Sequence, residues 1–255
     1  MSAPPKERGK WLAITIIVAL LALAFGIWGA YTYATQFKWG KPETWILSKT
    51  ILGLGFGFWF AIGAILWILG TAFLIMELAG YTFMGFKLVK FKLRWDSIDI
   101  AIIALTAAVY GGSLAATGGL TIIPGATWIR PANMLVPVFG MLFGIPGCLG
   151  CTIGNLIADA VGGYLSLASI GGSAGNFIAS YIAYKLVKNH SMRTIKSWLD
   201  YYLWAALIGP IWCALYISWW THITHPIVGL TPSYIWGFFC PFIIVNMSLM
   251  IAIAG

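Results

Sequence analysis

The sequence predicts an all-α polytopic membrane helix bundle with about eight transmembrane helices. Three observations carry this expectation: the balance of apolar to charged residues, the length of the apolar runs, and the placement of basic clusters between them. Sixty per cent of the residues are hydrophobic and 9% are charged, a balance that a soluble domain keeps only by exposing large apolar patches. The runs suit helices crossing a hydrocarbon core of about 30 Å and lack the alternation of outer-membrane barrels. The net charge of +8 falls in short clusters between runs, so it reports orientation and does not point to nucleic acid.

The first run, residues 11–35, follows Lys6, Arg8 and Lys10 and exceeds a signal-peptide core, so it reads as a retained anchor helix. A polar link with Lys38, Lys41 and Pro42 leads to a second run, residues 44–81, too long for one perpendicular span. Either a tilted helix or an interfacial segment at Trp45 followed by a span absorbs the excess. Gly53, Gly55, Gly57 and Gly63 suit close helix packing there, and Glu77 is expected at the interface. The densest charge cluster comes next, with Lys87, Lys90, Lys92, Arg94, Asp96 and Asp99. The positive-inside rule makes this loop cytoplasmic, and two spans before it put the N-terminus on the same side.

The third helix, residues 98–116, runs outward to a Gly, Thr and Pro loop over 117–127. The fourth, residues 131–146, comes in, turns at Gly147 to Gly150, and the fifth, residues 149–161, goes out. Both are short, so neighbouring helices are expected to shield them. The sixth, residues 167–187, ends in Lys185, Lys188, Arg193 and Lys196, a second cytoplasmic cluster that agrees with the count. Residues 198–220 and 232–254 complete eight spans of a plasma-membrane protein with both termini cytoplasmic. The chain divides into residues 1–95, an N-terminal helix pair with a basic loop, and 96–255, a six-helix core. Trp219, Trp220 and Trp236 fall at outer ends and Trp11 and Trp198 at inner ends, as aromatic belts require.

Arg130 and Asp159 bracket the fourth and fifth helices, and an ionisable residue at mid-depth costs about 2.5 to 3.5 kcal/mol unless paired or hydrated. Asn155 precedes Asp159 by four residues, on the same helical face. The charges can form a structural pair that fixes the register of the two short helices, or hold a ligand at an external cavity, and the two roles are compatible. Asn133, Asn176 and Asn246 are amides within apolar runs, suited to interhelical hydrogen bonds or to ligand contact. Gly171, Gly172 and Gly175 allow close backbone approach near Asn176. Cys148 and Cys151 have the spacing of a redox or metal pair but no second pair or nearby histidine, so they read as buried thiols. His222 and His225 read as loop histidines, since no third ligand stands near them in sequence. No cofactor or metal is expected. There is no nucleophile with its base, no phosphate loop and no acid–base carboxylate pair, so the chain does not read as an enzyme.

From Ser97 to the C-terminus the order of features resembles the substrate-binding S component of energy-coupling factor vitamin transporters. The resembling residues are Ala104-Leu-Thr-Ala-Ala108, Ile129-Arg130-Pro131-Ala132, Leu142-Phe143-Gly144, Gly154-Asn155-Leu156-Ile157-Ala158-Asp159, and Gly171-Gly172 to Asn176. The resemblance implies a six-helix core that binds a vitamin-like or nucleobase-like molecule from outside. It also implies that Ala104 and Ala108 let a membrane T component pack closely, with separate ATPases supplying energy. The expected ligand site is Trp128, Arg130, Asn133, Asn155, Asp159 and Asn176. The alternative is a non-catalytic structural subunit of a larger membrane complex, packed through the Gly-rich second run and aromatic faces against lipid or other subunits. A third reading, a histidine metal site in a membrane oxidoreductase, rests on His222 and His225 alone.

Overall fold

In hydrocarbon every backbone N–H and C=O must find a partner within the protein, which leaves the helix as the local solution for an apolar run. The computed structural model describes residues 5–38, 41–84, 87–90, 95–117, 121–123, 127–128 and 130–254, with backbone alone at 5–8, 84, 121–123 and 127–128. The expectations on Lys92 and Arg94 lie outside the described residues.

Helix α1, Pro5–Gln36, is continuous. The second long run is broken in two, α2 at Ile46–Gly53 and α3 at Phe56–Leu78, because Gly55 takes φ 85°, a conformation that ends a helix. Strands β1, Tyr81–Met84, and β2, Lys87–Lys90, pair antiparallel in a basic hairpin. Helix α4, Ser97–Ala116, starts where Asp96 accepts hydrogen bonds from the N–H groups of Ile98 and Asp99, both at 3.0 Å. A short pair, β3 at Thr121–Ile123 and β4 at Thr127–Trp128, precedes a 3₁₀ turn at Pro131–Met134. Helices α5, Leu135–Phe143, α6, Ile145–Val161, and α7, Leu167–Leu186, follow. Helix α8, Ile195–Asp200, continues through a π-helical segment, Tyr201–Ile208, into α9, Gly209–Ile223. After α10, His225–Val228, the last pass is α11, Pro232–Tyr234, a second π-helical segment, Ile235–Phe239, and α12, Cys240–Ala254.

Among the described residues five helical stretches are long and apolar enough to cross a membrane: Gly9–Gln36, Phe56–Leu78, Ser97–Ala116, Ile195–Ile223 and Pro232–Ala254. The shorter α5 and α6 pack against each other and against α7, and α6 also lies along α4, so the shielding they require is present. Helices α4 and α6 meet backbone to backbone. A Cβ on Gly111 would stand 2.8 Å from the Gly154 carbonyl oxygen, and one on Gly154 would stand 2.9 Å from that of Ala107.

Several expectations are corrected. The turn between the fourth and fifth helices lies at Gly144, with φ 62°, and Gly147 to Gly150 belong to α6. Pro146 suits the first turn of a helix, where its missing N–H costs nothing, so the turn sits just before it. Among the described residues Gly53, Gly55 and Gly57 face open space, and of that group Gly63 alone touches another helix, at Trp219, the Leu215 carbonyl and Trp236. Trp236 is fully buried, with its indole N–H donating to His222 Nδ1 at 2.7 Å, so it is core and not belt. His222 accordingly sits in the last turn of α9 and not in a free loop. The expectation for Glu77 is not among them: in the last turn of α3, it is 1% exposed and pairs with Lys185 Nζ at 3.1 Å while accepting from Thr82 and Tyr181.

Both π segments end just before a proline, Pro210 and Pro241. Proline has no N–H and its ring crowds the carbonyl four residues back, and the wider turn relieves this: Gly209 and Cys240 donate five residues back, to Trp204 and Ile235. The carbonyl that Pro241 leaves without its helical partner belongs to Gly237, and buried Ser48 of α2 donates its hydroxyl to that oxygen. Fully buried Trp45 packs beside it on Phe238, Phe242 and Val245. The N-terminal segment thus satisfies a carbonyl of the last pass. Ser48→Ala is expected to cost about 1 to 2 kcal/mol by baring that carbonyl, seen as a lower melting temperature in detergent; an unchanged melting temperature would show that water or lipid does the work equally well.

Candidate functional site

Asp159 lies near the end of α6 and Arg130 at the start of the 3₁₀ turn before α5. The short helical hairpin of α5 and α6 brings them to the same end of the bundle, with Arg130 Nη2 3.8 Å from Asp159 Oδ1. Asn155, one turn before Asp159 and 1% exposed, ties the pair together. Its Oδ1 accepts from Arg130 Nη1 at 3.2 Å, and its Nδ2 donates to Asp159 Oδ2 at 3.3 Å.

Helix α7 supplies the next layer. Ser166 and Ser169 form a reciprocal cap at its start, and Gly171 and Gly175 let it lie against Trp220, Ile217 and Cys213. Gly172 stands where a side chain would come within 3.3 Å of Asn155 Nδ2. Asn176 can therefore reach across, its Nδ2 donating to Asn155 Oδ1 at 3.1 Å and to the Gly172 carbonyl at 2.9 Å. Asn246 of α12 joins the group by accepting from the backbone N–H of Arg130 at 3.4 Å.

These groups line a cavity of about 460 Å³. Arg130, Asn133, Asn155, Asp159, Asn176 and Asn246 supply its polar wall, and Phe239, Phe242, Ile243 and Met247 much of its apolar wall. Residues Ile227, Val228 and Leu230, from α10 and the loop after it, also line it. A smaller cavity of about 170 Å³ also borders Arg130, Asp159 and Tyr164. Such a cavity, mostly apolar with a few convergent polar groups, is the usual form of a small-molecule site. An arginine that only donates beside a carboxylate that only accepts can read a ligand carrying both kinds of group on one edge.

Five of the six residues expected at a ligand site thus meet around one space: Arg130, Asn133, Asn155, Asp159 and Asn176. The sixth, Trp128, has its backbone in β4, and its side chain lies outside the described residues. Ala104 and Ala108 lie elsewhere, exposed on the face of α4 turned away from α6. Asn246 was legible as an amide in an apolar run but was not grouped with the others, and Tyr110, behind the polar wall, carried no local signal at all. Cys148 and Cys151 are buried on α6 away from the cavity lining.

A scan against protein-family models matches residues 100–255, more than half of the chain, to the model described as QueT transporter. No curated protein and no solved structure matches the chain.

Proposed function

The chain belongs to the QueT transporter family, S components of energy-coupling factor transporters, and from that premise we propose that it captures a queuosine precursor in the cavity at Arg130 and Asp159. It is an integral membrane protein and the substrate-binding component of a small-molecule uptake transporter, a multi-pass protein of the plasma membrane. The alternative of a purely structural subunit gives way to this family membership.

The observation that carries the choice of cargo is the donor–acceptor pair on the cavity wall. Queuosine precursors are 7-deazaguanine bases, planar molecules whose one edge sets N–H donors beside a carbonyl oxygen. Asp159 suits the donors and Arg130 the carbonyl, while Phe239 and Phe242 offer apolar surface to a flat ring. The cavity falls in the volume range, about 300 to 1,000 Å³, of sites that enclose small ligands.

The same reading assigns the remaining parts. Residues 96–255 form the six-helix core, and 1–95 are an addition to it. The cavity end faces outward and both termini lie inside, because the basic hairpin at Lys87 and Lys90 and the loop with Lys188 and Arg193 lie at the other end of the helices. A T component packs on α4 at Ala104 and Ala108, partner ATPases supply the energy, and the chain performs no catalysis of its own. Helices α1 to α3 leave that face open: they pack on α7, α8, α9 and the last pass.

The test of cargo is a melting curve of the purified protein with a 7-deazaguanine base, adenine serving as the control. Stabilisation of about 2.7 kcal/mol is expected at a hundred times the dissociation constant; absence of both a thermal shift and calorimetric heat rejects the reading. For the partner surface, Ala104→Trp with Ala108→Trp is expected to abolish co-purification with the T component while leaving ligand binding within about twofold, since an indole bars the close approach that small residues permit. Retention of the complex would move the partner to another face.

A further inference from the structure

Behind the polar wall lies Tyr110 of α4, fully buried. It crosses α6 at Gly154, where a side chain would meet its ring at 3.0 Å. Its hydroxyl oxygen lies 2.9 Å from Asn176 Oδ1 and 3.2 Å from Asn133 Oδ1. A phenol has one proton, and two amide oxygens cannot both be served by it.

The ion pair decides which one is. Arginine only donates, so the atom of Asn155 facing Arg130 is oxygen, and the atom facing the Asp159 carboxylate is nitrogen. With Asn155 set, the Asn176 atom facing both Asn155 Oδ1 and the Gly172 carbonyl must be nitrogen. Asn176 therefore turns its oxygen to Tyr110 and takes the phenolic proton. Toward Asn133 the phenol has only lone pairs left. A half-turn of that amide puts Nδ2 where Oδ1 stood, completing the chain of donors and acceptors. Its oxygen then takes the other amide position, on a residue that lines the cavity.

We infer that Tyr110 is a positioning residue that, without touching the ligand, fixes Asn133 as a hydrogen-bond acceptor in the cavity and so demands an N–H donor from the cargo at that point. The inference deepens the reading of a 7-deazaguanine site and rests on it. Direction passes from Arg130 and Asp159 through Asn155, Asn176 and Tyr110 to Asn133, so charges at one wall set what is accepted at another.

The test uses the full chain in detergent and calorimetric affinities for 7-deazaguanine and for analogues lacking each N–H in turn, by deletion of the exocyclic amino group or methylation of a ring nitrogen. In the unaltered protein one analogue is expected to bind about tenfold more weakly through loss of the bond to Asn133. In Tyr110→Phe the amide turns freely, so that penalty alone shrinks below about threefold while the others persist; steric costs of a methyl are common to both proteins and cancel in the ratio. Asn133→Leu, which keeps the bulk and removes the acceptor, is expected to erase the same penalty. A uniform loss of affinity for all analogues in Tyr110→Phe, or penalties unchanged by it, overturns the assignment and leaves the cargo reading standing. No binding of 7-deazaguanine to the unaltered protein rejects the cargo reading, and this assignment falls with it.

Discussion

Asp159→Asn is expected to lower ligand affinity about 100-fold, the upper range for a lost charge-assisted hydrogen bond. The substitution keeps the shape of the side chain and the contact with Asn155, so the protein should still purify as a monodisperse species. What changes is the acceptor: an amide offers one oxygen where the carboxylate offered two, and it no longer balances Arg130 at 3.8 Å. Isothermal titration with a 7-deazaguanine base measures the effect. Affinity within threefold of the unaltered protein would mean that the Arg130–Asp159 pair serves only to hold α6 against the turn before α5.

Lys185→Met is expected to destabilise the protein by about 3 kcal/mol, because it strands a buried carboxylate without its counter-charge. Glu77 has hardly any access to water, and among the described residues its Oε2 has no hydrogen-bond partner while Oε1 takes Thr82, Tyr181 and Lys185. The loss should largely vanish when Glu77→Met is added, since the burial penalty disappears with the charge. Thermal melting of the two single variants and the double variant reads the coupling. Equal and additive losses would show that the contact of the Lys185 ammonium with the Tyr184 ring, 4.6 Å from its centroid, matters more than its pairing with Glu77. The pair links α3, outside the family-matched residues, to α7 within them, and Ser48 makes a second such link on the last pass. The N-terminal segment is thereby tied to two of the helices that line the cavity.

The passes of this chain were legible because a bilayer imposes its thickness on sequence: apolar length, flanking lysines and the cost of an internal charge are local quantities. The same logic singled out Arg130 and Asp159, since two charges bracketing an oily hairpin are conspicuous wherever the helices pack. Glycine spacing was a poorer guide. Gly53 and Gly57 repeat as packing glycines do yet meet nothing among the described residues, whereas Gly154 lets Tyr110 through to partners on other elements.

Which polar atoms meet was decided by the tertiary structure alone. Tyr110 finds Asn133 and Asn176 at separations of 23 and 66 residues, and Ser48 finds Gly237 at 189. Hydrogen-bond direction requires the nearest neighbour of each donor, and between helices that neighbour is set by crossing geometry and by where glycine lets backbones touch. Composition tells a chain that it must bury itself in lipid, and only packing assigns each proton in its interior to one acceptor.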